Sequence, residues 1–155
     1  MTPAVMTKPF SITRARHKAR QLAVQALYQW QITRQDRSDI VSRFLTDQEM
    51  SESVSEYFTE LVAQVPARVE PIDAALSPLL DRKVNEVDPV ERAILRIGVY
   101  ELAYRPDIPY RVVINEAVEA AKVFGAEDSY KYVNGVLDKL APKFRAEEVR
   151  HAGTR

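Results

Sequence analysis

Across residues 13–32, apolar side chains recur at Ala19, Leu22, Ala23, Ala26, Leu27 and Trp30. That spacing of three and four is a helix with one face in a core, and Thr13 stands where an N-cap belongs. On the far side, at about 100° per residue, Arg14, Lys18, Gln21, Gln25 and Tyr28 gather on a narrow arc. A polar break over residues 34–38 precedes Ile40, Val41, Phe44 and Leu45, a short amphipathic helix. Ser53 and Glu56 make a capping-box pair for a third helix. Its stripe of Val54, Tyr57, Phe58, Leu61, Val62 and Val65 runs to Pro66. Val69, Ile72, Leu76 and Leu79 predict a fourth helix over residues 71–80.

Residues 82–87 read as a subdomain junction. Asp88-Pro89-Val90-Glu91 then opens a helix: the aspartate caps, proline suits the first helical position, and the glutamate sits near the positive end. Through Tyr104 this helix is apolar on nearly every side, which predicts the central strut of the second half. Gly98 within it predicts a close helix crossing. A sixth helix turns Ile114, Ala117, Val118 and Ala121 inward and stops at Gly125. A seventh starts near Asp128, buries Val133, Val136, Leu137 and Leu140, and ends before Pro142. Gly135 inside it predicts a second close backbone approach. Only residues 111–114 resemble a strand, and they run into a helical stripe. The pattern predicts an all-α fold of about seven helices in two packed bundles. A flexible arm over residues 1–12 precedes one helical domain over 13–142, with subdomains 13–81 and 82–142. Residues 143–155 read as a flexible basic tail.

Composition changes this picture through charge. The 155 residues balance to a formal net charge of zero, yet residues 1–35 hold Lys8, Arg14, Arg16, Lys18, Arg20 and Arg34 without one acid. Residues 47–60 hold Asp47, Glu49, Glu52, Glu56 and Glu60 without one base. Segregation of this kind suits a basic patch that meets a polyanion. The absence of cysteine excludes disulfides and thiolate chemistry. With no long apolar run and no leader-like N-terminus, the expectation is a cytoplasmic protein with no membrane segment.

Little here suggests catalysis. The four glycines are scattered singly, so no phosphate loop forms, and His17 and His151 lie near opposite ends, so no metal cluster is expected. Glu116 and Glu119 read as ordinary solvated carboxylates. The residues call for no cofactor, no metal and no enzyme. The basic helix says more. Cations one turn apart can follow a phosphate backbone, Gln21 and Gln25 can bond base edges, and exposed aromatics can stack on unpaired bases. Tyr130, Lys131 and Tyr132 form a second aromatic–basic group.

Four blocks resemble one family. Arg20-Gln-Leu-Ala-Val-Gln-Ala-Leu-Tyr-Gln-Trp30 is similar to the first-helix signature of the NusB family of bacterial transcription antitermination factors. Glu91-Arg-Ala-Ile-Leu-Arg-Ile-Gly-Val-Tyr-Glu-Leu102 and Pro109-Tyr-Arg-Val-Val-Ile-Asn-Glu-Ala-Val-Glu-Ala-Ala-Lys122 match later blocks. Phe124-Gly-Ala-Glu-Asp-Ser-Tyr-Lys-Tyr-Val-Asn-Gly-Val-Leu-Asp138 closes the set, in the family's order and spacing.

The resemblance implies a non-catalytic, all-helical RNA-binding factor. In the family, such a protein pairs with NusE, a small-subunit ribosomal protein, on the boxA element of ribosomal RNA leaders. It then acts on RNA polymerase with other Nus factors to suppress termination. By motif match, RNA contacts fall on Arg14, Arg16, Lys18 and Arg20, and on Asp128, Lys131 and Tyr132. His17 replaces one cation of the usual run, so its contact weakens as the imidazole loses its proton. Gln21 joins them from its place on the arc. NusE contacts fall on Tyr28 and Glu91; Tyr28 lies about 15 Å along the helix from Lys18, far from the basic end. Some members self-associate through the basic helix, so a homodimer is one arrangement the resemblance implies. Two other readings compete: an RNA-targeting module like the N-terminal region of rRNA cytosine methyltransferases, and a helical protein-interaction scaffold.

Overall fold

A computed structural model describes residues 9–153. They form α1 (Pro9–Thr33), α2 (Arg37–Asp47), α3 (Glu52–Ala67), α4 (Val69–Leu76), α5 (Pro89–Tyr104), α6 (Tyr110–Phe124), α7 (Ser129–Phe144) and α8 (Ala146–Gly153). Single 3-10 turns at Ser77–Leu79 and Val84–Glu86 join α4 to α5, and no strand occurs among the described residues. The fold is all-α. Among the described residues its α-helices number eight rather than about seven, because the expected flexible tail contains a helix. Residues 1–8 of the expected arm lie outside the described residues, while residues 9–12 open α1. Thr13 is therefore inside a helix and not its cap.

The chain divides into two compact units, one ending at Ala63 and the other beginning at Gln64. The sequence placed that junction at residues 82–87. Within the second unit, α4 packs on α5 and α7. Arg96 on α5 also grips Asp73 on α4 through two parallel hydrogen bonds of 3.0 and 2.8 Å.

In the first unit, Ala19, Leu22, Ala23, Ala26 and Leu27 are buried as the stripe predicts, and Val24 and Gln31 join them. Arg34 ends α1 with φ 59°, a left-handed conformation, its N–H donating to the Trp30 carbonyl at 2.9 Å. Asp36 caps α2 by accepting from the Ser38 amide at 2.8 Å and the Ser38 hydroxyl at 2.6 Å. These two bonds hold its carboxyl below the usual range. Of the four apolar positions expected to face inward from α2, only Ile40 is fully buried; Leu45 is exposed, and Phe44 stacks on Phe58 at 5.3 Å. Ser51, not Ser53, caps α3, its hydroxyl accepting from the Val54 amide at 3.3 Å. Pro66 does not stop that helix, since a proline in the last turn forfeits only one hydrogen bond.

In the second unit, α5 packs against α4, α6 and α7, and its cap is as expected. The Asp88 carboxylate accepts from the amides of Val90 and Glu91 at 2.9 and 3.3 Å. A Cβ at Gly98 would stand 2.8 Å from Leu137 Cδ1, so α5 and α7 do cross closely there. Gly135 is the opposite: nothing lies within 4 Å of where its Cβ would be, and the predicted approach is absent.

The residues after 142 correct the sequence reading most. α7 passes through Pro142 to Phe144, and Arg145 is buried at the junction with α8. Its guanidinium donates to the carbonyls of Leu102 at 2.9 Å, Glu101 at 3.1 Å and Arg105 at 2.9 Å. These carbonyls close α5; those of Glu101 and Arg105 also accept from the backbone amides of Arg105 and Ile108 at 3.1 and 3.0 Å, while that of Leu102 falls in the last turn, where a helix leaves acceptors without intrahelical partners. Arg145 also donates to Glu148 at 2.8 Å, and Glu148 accepts from the Tyr110 amide at 2.7 Å, at the start of α6. Burial pushes the Glu148 carboxyl up, but the Tyr110 amide and Arg145 outweigh it and hold it low.

Two outcomes follow from this geometry. Arg145→Ala should destabilise the protein by about 3 kcal/mol, since it removes the Leu102 carbonyl's side-chain donor and the cation paired with Glu148 at a buried junction; urea unfolding measures it. A depressed carboxyl pKa stabilises above the unfolded value, about 4.3, and that stability is lost as pH falls through the folded value. Glu148→Gln should therefore lower the melting temperature at neutral pH, with the gap to wild type closing in acid. At Gly135, alanine should add about 0.5–1 kcal/mol of stability, because helix propensity rises with no clash to offset it.

Candidate nucleic-acid interface

The cations expected to act together on α1 do not share one environment. Arg14, Lys18, Gln25 and Tyr28 are exposed, as the arc predicts, with Tyr28 at 42%. Gln21 is half-buried, and its amide donates to His17 Nε2 at 3.3 Å. Arg16 and Arg20 turn another way. Arg20 is only 5% exposed. The guanidinium carbons of Arg16 and Arg20 lie 5.5 and 5.6 Å from the ring centroid of Tyr57 on α3, a cation–π arrangement on a buried ring. Two residues along a helix is a rotation of about 200°, so positions 14 and 18 cannot face with 16 and 20. Arg20 is thus buried where α1 meets Tyr57 of α3.

The second group lies in the other unit, at the start of α7. Asp128 holds the N-cap position without a capping bond from its side chain and pairs with Lys131 at 3.6 Å, both well exposed. Tyr132 is half-buried, with the Arg82 guanidinium 5.7 Å from its ring. Its hydroxyl oxygen is buried with no hydrogen-bond partner. Burial, reinforced by Asp81, pushes this phenol up against the opposing pull of Arg82, so it remains a donor. Asp81 is itself held low by its hydrogen bonds to Arg82 at 2.9 and 3.2 Å.

Glu91 is not a freely exposed acid of the first turn. It is half-buried, and its Oε2 accepts from the Ser129 hydroxyl at 2.6 Å. The first turns of α5 and α7 are thereby fastened together. Sequence reasoning missed Tyr57, Arg82 and Ser129. Tyr57 and Arg82 act only through tertiary contacts that no local spacing encodes. Among the described residues, no group of three or more His, Asp or Glu could hold a metal ion, and no helix is long and apolar enough to cross a membrane.

Fold and site together define an all-helical protein that turns a cationic, amide-rich helix face to solvent. A model of the NusB family matches residues 17–142. The transcription antitermination protein NusB of Edwardsiella ictaluri is 51% identical over 84% of this chain and 94% of its own length. That of Alcanivorax borkumensis is 55% identical over 86% and 89%. Among solved structures, T. maritima NusB superposes with a TM-score of 0.80 at 31% identity, covering 94% of this chain and 99% of its own. NusB from a complex of antitermination factors NusB and NusE with double-stranded RNA gives 0.78 at 26%, over 84% and 98%. The chain belongs to the NusB family.

The Glu91–Ser129 bond makes a specific expectation. Ser129→Ala and Glu91→Lys should each lower stability by about 1–2 kcal/mol, read as a shift in the thermal melt. An unmoved melt for both would mean the bond is immaterial.

Proposed function

We propose that this protein is a non-catalytic, cytoplasmic RNA-binding factor in transcription antitermination. It binds the boxA element of ribosomal RNA leader transcripts together with NusE, and acts on RNA polymerase with other Nus factors. The observation that carries the reading is the exposed arc of Arg14, Lys18, Gln25 and Tyr28 on α1, in a chain about half identical to curated antitermination proteins. Phosphates meet Arg14 and Lys18, with Arg16, His17 and Gln21 at the margin of the same helix end. Lys131, Asp128 and Tyr132 contact RNA from the start of α7. NusE takes Tyr28, far from the basic end, and Glu91. Arg20 is left out of the contact set because it is buried.

The test is salt-titrated binding to boxA RNA, with and without NusE. Lys18→Ala should weaken binding and lower the salt slope by about one, the signature of one lost phosphate contact. Arg20→Ala should instead lower the melting temperature and leave the slope unchanged. Absence of binding at low salt in both conditions would sink the proposal.

A further inference from the structure

The proposed contacts leave Tyr130 and Lys122 without a role, yet the fold brings them together. α6 stops at Gly125 and α7 starts at Ser129, so the connection is short. Gly125 permits it, since a Cβ there would stand 2.7 Å from Ser129 Cβ and 2.8 Å from the Ala121 carbonyl oxygen. This turn lays the end of α6 beside the first turn of α7. As a result, Lys122 Nζ sits 5.2 Å from the Tyr130 ring centroid, and Lys131 Nζ sits 6.0 Å from it. Both lysines are exposed and Tyr130 is half-exposed. Among the described residues Lys122 pairs with no carboxylate, and its ammonium lies against the Tyr130 ring. Val123 beside it is 58% exposed, the most exposed of the large apolar side chains described.

We infer that Lys122, Tyr130 and Lys131 form a nucleotide platform: an unpaired base stacks on the Tyr130 ring while its flanking phosphates take the two ammonium groups. This deepens the RNA-binding reading and rests on it. An aromatic ring flanked by mobile cations is the chemistry single-stranded nucleic acid requires, because every base has a π-face and every linkage a charge. The lysines lose little in exchanging the ring for a phosphate, since exposed cation–π contacts are weak. A protein partner recognised through its acidic side chains has use for the lysines but none for the ring.

The two halves of the platform respond differently to salt. Stacking involves no counterion release, whereas each lysine–phosphate contact adds about one to the slope. In the full-length protein with NusE and a single-stranded boxA RNA, Tyr130→Leu should weaken binding about 5-fold or more without changing the salt slope. Tyr130→Phe should bind as wild type, since only the ring is used. Lys122→Ala should lower the slope by about one, with the melt unmoved. Replacing bases one at a time with 2-aminopurine should find one whose fluorescence is quenched by wild type and by Tyr130→Phe but not by Tyr130→Leu. Wild-type affinity in folded Tyr130→Leu, or loss of NusE binding in place of RNA binding, would overturn the platform while leaving the broader reading standing. If wild type binds no RNA at all, both fall. Should Tyr130→Leu fail to fold, ring-fluorinated phenylalanine at position 130 keeps the volume, and unchanged quenching across that series together with an unchanged Lys122→Ala slope would overturn the inference equally.

Discussion

A guanidinium taken out of water is costly unless its N–H groups or its charge are answered, and this chain withdraws guanidinia wholly or partly from water at three structural joints. Arg145 answers with three carbonyls at the end of α5 and the carboxylate of Glu148. Arg96 answers with a two-pronged bond to Asp73, the geometry in which arginine and carboxylate match best. Arg20 lies over the Tyr57 ring. Arg145 and Arg96 together hold α4, α5 and the α7–α8 junction in one unit. Breaking the Arg96 or Arg145 joint leaves a carboxylate without its cation, which is why these few polar contacts matter beside a large apolar core.

The same constraint sorts the cations of α1. A run of positive residues at every second position looks like a single basic patch in one dimension. On a helix it splits into two faces. Positions 16 and 20 lie toward the core side, where Tyr57 receives them; positions 14 and 18 stay in water. A phosphate chain arriving at this helix end meets a smaller and more sharply placed charge than the composition suggests. Sequestering Arg20 also limits the self-repulsion that a fully exposed basic run would carry.

What was legible in the sequence follows from this division between local and tertiary causes. The apolar stripes of α1, α3, α5, α6 and α7 were legible because helical period and burial coincide. So was the Asp88-Pro89 start of α5, whose cap is set by residues three apart. The exposed arc of α1 was equally legible, and the 200° rotation between alternate positions was available to separate Arg14 and Lys18 from Arg16 and Arg20. Motif matching grouped them all the same. Other features had no local signal. Arg145 finds its acceptors more than forty residues upstream. Ser129 reaches Glu91 across thirty-eight residues. Gly98 and Gly135 look alike in sequence, and only the position of Leu137 makes one necessary and the other not.

The bond between Ser129 and Glu91 bears on how the two proposed partners act on each other. Glu91 belongs to the surface assigned to the protein partner, and Ser129 lies between Asp128 and Lys131 on the helix start assigned to RNA. A carboxylate already accepting a hydrogen bond of 2.6 Å has one oxygen engaged, so a protein donor must share it or displace the serine. Sharing leaves the start of α7 as it is. Displacement strips a buried serine hydroxyl of its acceptor in the first turn of α7. Linkage requires that such an effect be reciprocal: whatever one ligand does to the affinity of the other, the other returns in equal measure. The contact that fastens two helices is thus also a direct link between the two proposed surfaces.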